Sequence, residues 1–515
     1  MSRSPDIAGS AETPAGAPPE MPAETPLYDT AALRAVERAA AAELGDDFEL
    51  MRRAGEAAWR EWLDRWTQAY SLLVVCGPGN NGGDGYVMAT HAQRNGRRVR
   101  VLRLREHAPR GELAQRAAAE YAAAGGATIE FDGALPAADA IVDAVFGIGL
   151  SRPPDAAASA LIAAINAHGA PVFALDAPSG VDTDRGAAPG AAVIADCTLE
   201  FIARKHGLRT GAALDHAGEL LLADLCLDVS AHGAYPVAEW LRAPDLRRWL
   251  RPRRRDSHKG RNGRVLCIGG DHGHGGALML CAQAALRSGA GLVDAATRAE
   301  HIAPLLARLP EAMPRAVESS EDVRAALAAA DVIAIGPGLG TQEWGAHLFV
   351  AALASGKPLL LDADALNLLA AQPRALPADC ILTPHPGEAA RLLGSDTARV
   401  QADRYAAVRA LSERYRCAVV LKGAGSLVHA PGQGVRAIGA GNPGMAVGGM
   451  GDALSGAIAA LSAQGLDAFD AASCGALLHS VAGDRAAREG GERGLLPSDL
   501  MPWLRRCANP RADER

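Results

Sequence analysis

The stretch Asn442-Pro-Gly-Met-Ala-Val-Gly-Gly-Met-Gly-Asp452 crowds glycines around one carboxylate. An apolar run suited to a helix, Ala453 to Leu461, follows at once. That order aims several backbone N–H groups and the positive end of a helix dipole at one point. An anion fits there, with Asp452 beside it as a base. Such an arrangement holds a phosphoryl group while a neighbouring hydroxyl gives up its proton. A plain turn would not need this glycine density, because glycine is costly unless the backbone must bend or be approached closely.

A second loop of this kind is Gly77-Pro-Gly-Asn-Asn-Gly-Gly-Asp-Gly85. It follows a strand pattern and precedes a helix pattern, the context of a phosphate-binding turn. Asn80, Asn81 and Asp84 add groups that can hold hydroxyls or a carboxamide, which suits a dinucleotide. Asp143 and Asp176 stand at the ends of two further expected strands, and carboxyl ends of parallel strands converge on one crevice. Asn81, Asp143 and Ser179 offer hard oxygen donors of low total charge. They suit a monovalent cation better than zinc, since no Cys or His cluster has metal spacing. No Walker sequence is present, so a nucleotide bound here is not held by a P-loop.

The elements that must position these groups form two α/β blocks. The first has an amphipathic stretch over 30–66, then expected strands at Leu72–Cys76, Val99–Leu104, Ala140–Phe146 and Val172–Leu175. Helices are expected at Tyr86–Asn95 and Ala156–His168. Short apolar strands alternating with helices predict a parallel, doubly wound, Rossmann-like sheet. Between Ala234 and Arg264, ten Arg or Lys stand against three acids. We read this run as a solvated interdomain segment, from which Lys259 or Arg264 could reach a phosphorylated ligand. A strand at Val265–Gly269 then opens the second block. We divide the chain into a disordered tail (1–26), a first domain (27–235) and a second (236–515).

At 515 residues the chain exceeds one ordinary core. A net charge of −7 argues against nucleic acid as the partner. Nine scattered cysteines without a C-x-x-C pair read as reduced, mostly buried thiols of a cytoplasmic protein. No apolar stretch of spanning length predicts contact with a membrane. A homo-oligomer is expected.

Gly79 to Gly85, Phe146-Gly-Ile-Gly-Leu-Ser-Arg152 and Asp176-Ala-Pro-Ser-Gly180 resemble the NAD(P)H-hydrate epimerase family. The second block resembles the ADP- or ATP-dependent NAD(P)H-hydrate dehydratases, through Gly336-Pro-Gly-Leu-Gly340, Asp362-Ala-Asp-Ala-Leu-Asn367, Thr383-Pro-His-Pro-Gly-Glu388, Lys422-Gly-Ala-Gly-Ser426 and Asn442 to Asp452. The order is similar to the family in which the two activities are fused. The resemblance implies a ribokinase-like α/β fold for the second domain. It also implies repair of hydrated cofactors: R and S forms of NADHX and NADPHX are interconverted, and the S form is dehydrated at the expense of ADP or ATP.

By that resemblance, Asn80, Asn81, Gly82, Gly83, Asp84, Asp176 and the run Gly147, Ile148, Gly149, Leu150, Ser151, Arg152 and Pro153 surround the hydrate. Potassium (K⁺) would lie at Asn81, Asp143 and Ser179. Asp176 is the expected proton-transfer group; Lys205 is a possible assistant, although a surface lysine is the plainer reading. In the second domain Ala277, Gly338, Gly340, His385 and Asp452 would contact the hydrate. Lys422, Gly423, Ala424, Gly425 and Ser426 would cradle the nucleotide, Gly451 would sit in the anion hole, and Asp452 would act as base with Mg²⁺ on the phosphates. Two positions depart from the family pattern. Met450 stands where a small hydroxyl residue is common, and His274 where tyrosine is frequent.

Overall fold

The computed structural model describes residues 25–150 and 152–510, so tail residues 1–24 and the candidate Ser151 lie outside the described residues. Apolar runs bounded by glycine build two parallel sheets. The first has seven strands, in the order 127–130, 98–103, 71–76, 140–144, 172–175, 197–201 and 219–223, all parallel. Chain order reverses between Ser71–Cys76 and Ala140–Ala144. That reversal opens a crevice at the carboxyl ends of those strands.

The amphipathic stretch over 30–66 is two helices, Thr30–Leu44 and Phe48–Arg65. They divide at Gly45, whose φ of 67° caps the first in the left-handed region. The helix expected at Tyr86 begins six residues earlier and spans Asn80–Arg94. The glycine loop is therefore largely helix: Gly82 packs so closely that an added Cβ would lie 2.0 Å from the Gly77 carbonyl oxygen. Glycine's low helix propensity misplaces this start when the residues are read in isolation.

The second sheet has eleven strands, in the order 26–27, 238–241, 435–438, 427–429, 418–421, 380–382, 359–361, 332–335, 264–268, 292–297 and 313–316. Its centre is parallel, and an antiparallel hairpin returns at Leu427–His429. Pro26–Leu27 pairs with Ala238–Glu239 at the edge of this sheet. The basic run over 234–264 is not simply a solvated segment. Ala238–Leu241 is a sheet strand parallel to Val435–Ile438, with Arg248 and Arg436 on Glu239. Arg264 is spent on Asp294 at 2.5 Å, which removes it as a ligand for phosphate. Among the described residues no helix is long and apolar enough to cross a membrane.

Helix Met450–Ala463 lies against helix Gly275–Arg287, and both are rich in alanine, which lets their backbones approach. A Cβ on Gly456 would sit 2.0 Å from the Cys281 carbonyl oxygen. Gly456→Val should therefore destabilise the protein by about 1–3 kcal/mol through overpacking. Denaturant unfolding that matches the parent protein would contradict this close approach.

Candidate active sites

In the first crevice Asp176 ends strand Val172–Leu175 with a φ of 67°, a backbone conformation costly for a non-glycine residue. Its carboxylate meets the Lys205 ammonium at 2.5 Å and accepts from the Ile148 N–H at 3.2 Å. Lys205 is not a surface lysine: it is 1% exposed, and its ammonium also donates to the Phe201 carbonyl. Two more carboxylates face this pair. Burial, then the charges of Asp176 and Glu37, push Asp84 well above the usual carboxylate range. Burial and Asp176 likewise raise Glu37, with Lys205 opposing. A Cβ on Gly147 would lie 2.8 Å from the Asp176 Oδ2 and 3.3 Å from the Asn81 side chain. The Gly147–Gly149 turn thus closes over both.

Asp143 is fully buried and accepts from the Ser179 N–H at 2.8 Å and the Ser179 hydroxyl at 2.6 Å. Burial holds its carboxyl at about 6, against the pull of those bonds. Asn81 is buried nearby, yet neither its Oδ1 nor its Nδ2 has a hydrogen-bond partner. A buried orphan amide is expensive, so this one asks for a ligand. Leu150, Arg152 and Pro153 line a cleft of about 690 Å³ whose wall also includes Gln401 and Asp403.

The second crevice lies at the carboxyl ends of the central strands. Asp362 follows Leu359–Leu361, the His385 turn follows Cys380–Leu382, and Lys422 follows Ala418–Leu421. The Lys422 ammonium meets the Asp362 carboxylate at 2.6 Å, and the Ser455 hydroxyl donates to the other oxygen at 2.8 Å. Glu388 lies 3.8 Å from the same ammonium. Burial works against the Lys422 charge, but Asp362, Glu388 and Asp452 outweigh it and raise its pKa. Helix Met450–Ala463 starts three residues before its expected position, which puts Gly451 and Asp452 in its first turn. A Cβ on Gly451 would stand 3.2 Å from the Lys422 nitrogen, so the ammonium sits against the helix amino end. A phosphoryl group there would meet both free N–H groups and a fixed positive charge.

Burial and the Asp362 anion raise Asp452 to about 6, with Lys422 opposing. Ala277, Gly338 and Gly340 come together: a Cβ on Gly338 would touch Ala277 at 3.3 Å, and the Gly340 N–H donates to Asp364 at 2.9 Å. His385 is partly spent. Its Nδ1 caps helix Pro386–Leu393 by accepting from the N–H groups of Gly387 and Glu388, and its Nε2 lies 3.4 Å from the Glu388 carboxylate.

Residues 265–506 match the family model described as NAD(P)H-hydrate dehydratase, and residues 47–207 match the YjeF-related protein N-terminus. The chain is 47% identical over 492 residues to the bifunctional NAD(P)H-hydrate repair enzyme Nnr of Coxiella burnetii, covering 94% of this chain and all of that one. It belongs to the bifunctional NAD(P)H-hydrate repair enzyme family. The Escherichia coli member is 45% identical, with 94% of each chain covered. A solved ADP/ATP-dependent NAD(P)H-hydrate dehydratase from Bacillus subtilis, co-crystallised with ATP/Mg²⁺, is 30% identical with a TM-score of 0.47, covering 52% of this chain and 96% of that chain.

The structure also brings into the crevices groups to which the sequence assigned no site role: Glu37 and Ser455, together with Asp362, Asp364 and Glu388 of the quoted motifs. Asp362 and Asp364 had a signal, two acids directly after an apolar strand. Glu37 had none, because an acid on an amphipathic helix ordinarily faces water. Met450 is 6% exposed, so its side chain packs in the core. His274 is exposed and bonded to the His272 carbonyl.

The charge pattern around Asp452 makes a sign test. Asp362→Asn removes the repelling anion and leaves Lys422, so the Asp452 pKa should fall from about 6 toward the ordinary carboxylate range. Carbon-13 titration of the carboxyl groups reads this directly, and an unchanged value would exclude the coupling. Because the folded value lies above the unfolded one, ionisation of Asp452 costs stability as pH rises to about 6. Asp452→Asn should therefore raise Tm above that pH and leave it unaltered near the unfolded carboxylate pKa of about 4.

Proposed function

We propose that the two crevices divide the repair of hydrated nicotinamide cofactors between them. The chain epimerises the R and S forms of NADHX and NADPHX and dehydrates the S form at the expense of ADP or ATP, regenerating NADH and NADPH. The observation that carries the division is that each crevice keeps its own buried lysine–aspartate pair, and only the second adds a carboxylate at a helix amino end.

In the first site Asp176 is the proton-transfer group at the hydroxyl of the hydrated carbon, and Lys205 holds it in place and supplies the compensating charge. Loop residues Asn80 to Asp84 and Gly147 to Gly149 surround the hydrate. Potassium fits beside the unpartnered Asn81 amide, with the Asp143 carboxylate and Ser179 completing a donor set of hard oxygens. It would supply a fixed positive charge near the hydrate.

In the second site Asp452 takes the hydroxyl proton of the S hydrate as that oxygen attacks the terminal phosphoryl group of the nucleotide. The N–H groups at the helix start and the Lys422 ammonium stabilise the charge that develops. The nucleotide departs one phosphate shorter, the ring nitrogen's lone pair then expels the ester as phosphate, and loss of a proton from the adjacent ring carbon restores the double bond. Mg²⁺ bound with the nucleotide would neutralise its phosphates, as the co-crystallised Bacillus subtilis dehydratase supports. Lys422 to Ser426 cradle the nucleotide, and Ala277, Gly338, Gly340 and His385 position the hydrate. Seven of the nine cysteines are buried as thiols, which suits a reducing, cytoplasmic setting.

Incubation with mixed NADHX epimers, nucleotide, Mg²⁺ and K⁺, followed by absorbance of the reduced ring, tests the whole reading. No return of NADH with either nucleotide would overturn it. Asp452→Asn should lower dehydration by about two to four orders of magnitude and leave epimerisation intact. Asp176→Asn, or Lys205→Met, should consume the S form quickly and then stall on the R form. Consumption of both epimers at parental speed by the Asp176 variant would refute the two-site division. Removing K⁺, or Asp143→Ala, should weaken hydrate binding at the first site alone; potassium dependence unchanged in Asp143→Ala would remove that assignment.

A further inference from the structure

Arg404 is 0% exposed, and no carboxylate pairs with it among the described residues. Its guanidinium is spent on neutral oxygens. Nε donates to the Thr210 hydroxyl at 2.8 Å, Nη1 to Gln401 at 2.8 Å, and Nη2 to the carbonyls of Leu421 and Lys422, each at 3.2 Å. A buried cation without a counter-ion is costly, and such a group persists where its hydrogen bonds hold something in place. Here it holds the start of the Lys422–Ser426 loop. A Cβ on Gly423 would lie 3.1 Å from the guanidinium, so the loop backbone rests directly on it.

The rest of the loop is held from the first domain. The fully buried Thr210 donates its hydroxyl to the Gly425 carbonyl at 2.6 Å, and the Gly211 N–H donates to the Ala424 carbonyl at 3.0 Å. Gly425, at a φ of 59°, comes so near Arg209 that an added Cβ would stand 2.1 Å from its carbonyl oxygen. Gly423 and Gly425 both sit at positive φ. A glycine-rich loop of this kind samples many shapes when nothing holds it. Every carbonyl from Leu421 to Gly425 except that of Gly423 is held by Arg404, Thr210 or Gly211.

We propose that the first domain completes the nucleotide site of the second: Thr210 and Gly211 act as positioning residues that, with Arg404, fix the Lys422–Ser426 loop in its binding shape. The proposal rests on the reading of that loop as the nucleotide cradle. Nucleotide affinity in the second domain is then set partly by a segment that starts at Lys205, the partner of Asp176.

Thr210→Val keeps the side-chain shape and removes the hydroxyl's bonds to Arg404, Ala424 and Gly425, and Arg404→Lys keeps the charge and removes most of the fan. In the full-length protein, each should raise the Kd for ADP and ATP and the KM for nucleotide about ten-fold, the scale of one lost buried hydrogen bond. The KM for hydrate and kcat at saturating nucleotide should stay within about two-fold of the parent, since such bonds contribute to binding alone. Tyr405→Phe is the control. Its hydroxyl donates to the His206 carbonyl across the same interface and touches no loop atom, so nucleotide affinity should persist even where Tm falls. Equal weakening by Tyr405→Phe would reduce the effect to a loosened interface and overturn the proposal, as would unchanged nucleotide KM in Thr210→Val. Photolabelling with azido-ADP separates the two readings. Label absent from 422–426 defeats the cradle assignment itself, and label present with no effect of Thr210→Val defeats only the role of the first domain.

Discussion

Burying several like charges together is the constraint on which both crevices depend. In the first, Glu37, Asp84 and Asp176 face one another around Lys205. In the second, Asp362, Glu388 and Asp452 surround Lys422. Desolvation alone would neutralise such carboxylates. Against burial, the Lys422 ammonium holds Asp362 below its ordinary range, while Glu37, Asp84, Glu388 and Asp452 are pushed above theirs. Each crevice thus sets carboxyls of raised pKa beside a lysine–aspartate ion pair.

The sheets make these clusters possible without long-range distortion. Parallel strands deliver Asp176, Asp362 and Lys422 each as the first residue after a strand, at the carboxyl edge of its sheet, so these charges reach the crevices without bending the core. Helix starts then face the cluster. Asn80–Arg94 and Met450–Ala463 both begin in glycine-rich sequence, and both bring N–H groups to the crevice at distances a Cβ would prevent. The close packing of Gly456 on Cys281 shows the same device used for structure alone. Where the halves meet, a buried guanidinium takes the place of an ion pair, and its bonds go to the backbone oxygens of a loop.

Much of this was legible in the residues. Glycine patterns, strand-end acids and the apolar runs between them are local, and each carries its own backbone requirement. Two α/β sheets could be read that way, and the resemblance of the glycine motifs gave membership of the repair family. Helix starts were harder, because glycine in isolation argues against helix while a crevice that needs close backbone approach selects it. The basic run over 234–264 misled for a related reason. Its arginines read as solvent-facing, yet Arg248 pairs with Glu239 in strand Ala238–Leu241, which also takes Arg436 from outside the run.

The sequence by itself determined the two α/β blocks, the strands on either side of the first glycine loop and the turns that carry acids. Only the tertiary structure decided which charge neutralises which. Lys422 and Asp362 are 60 positions apart, and Arg404 and Thr210 are 194 apart. Lys205, which reads as a surface residue, is buried against Asp176. Local pattern fixes backbone conformation over a few residues, whereas the partner of a buried charge depends on which strand ends become neighbours in the sheet. Desolvation then makes that pairing decisive, since the same groups in water would scarcely interact.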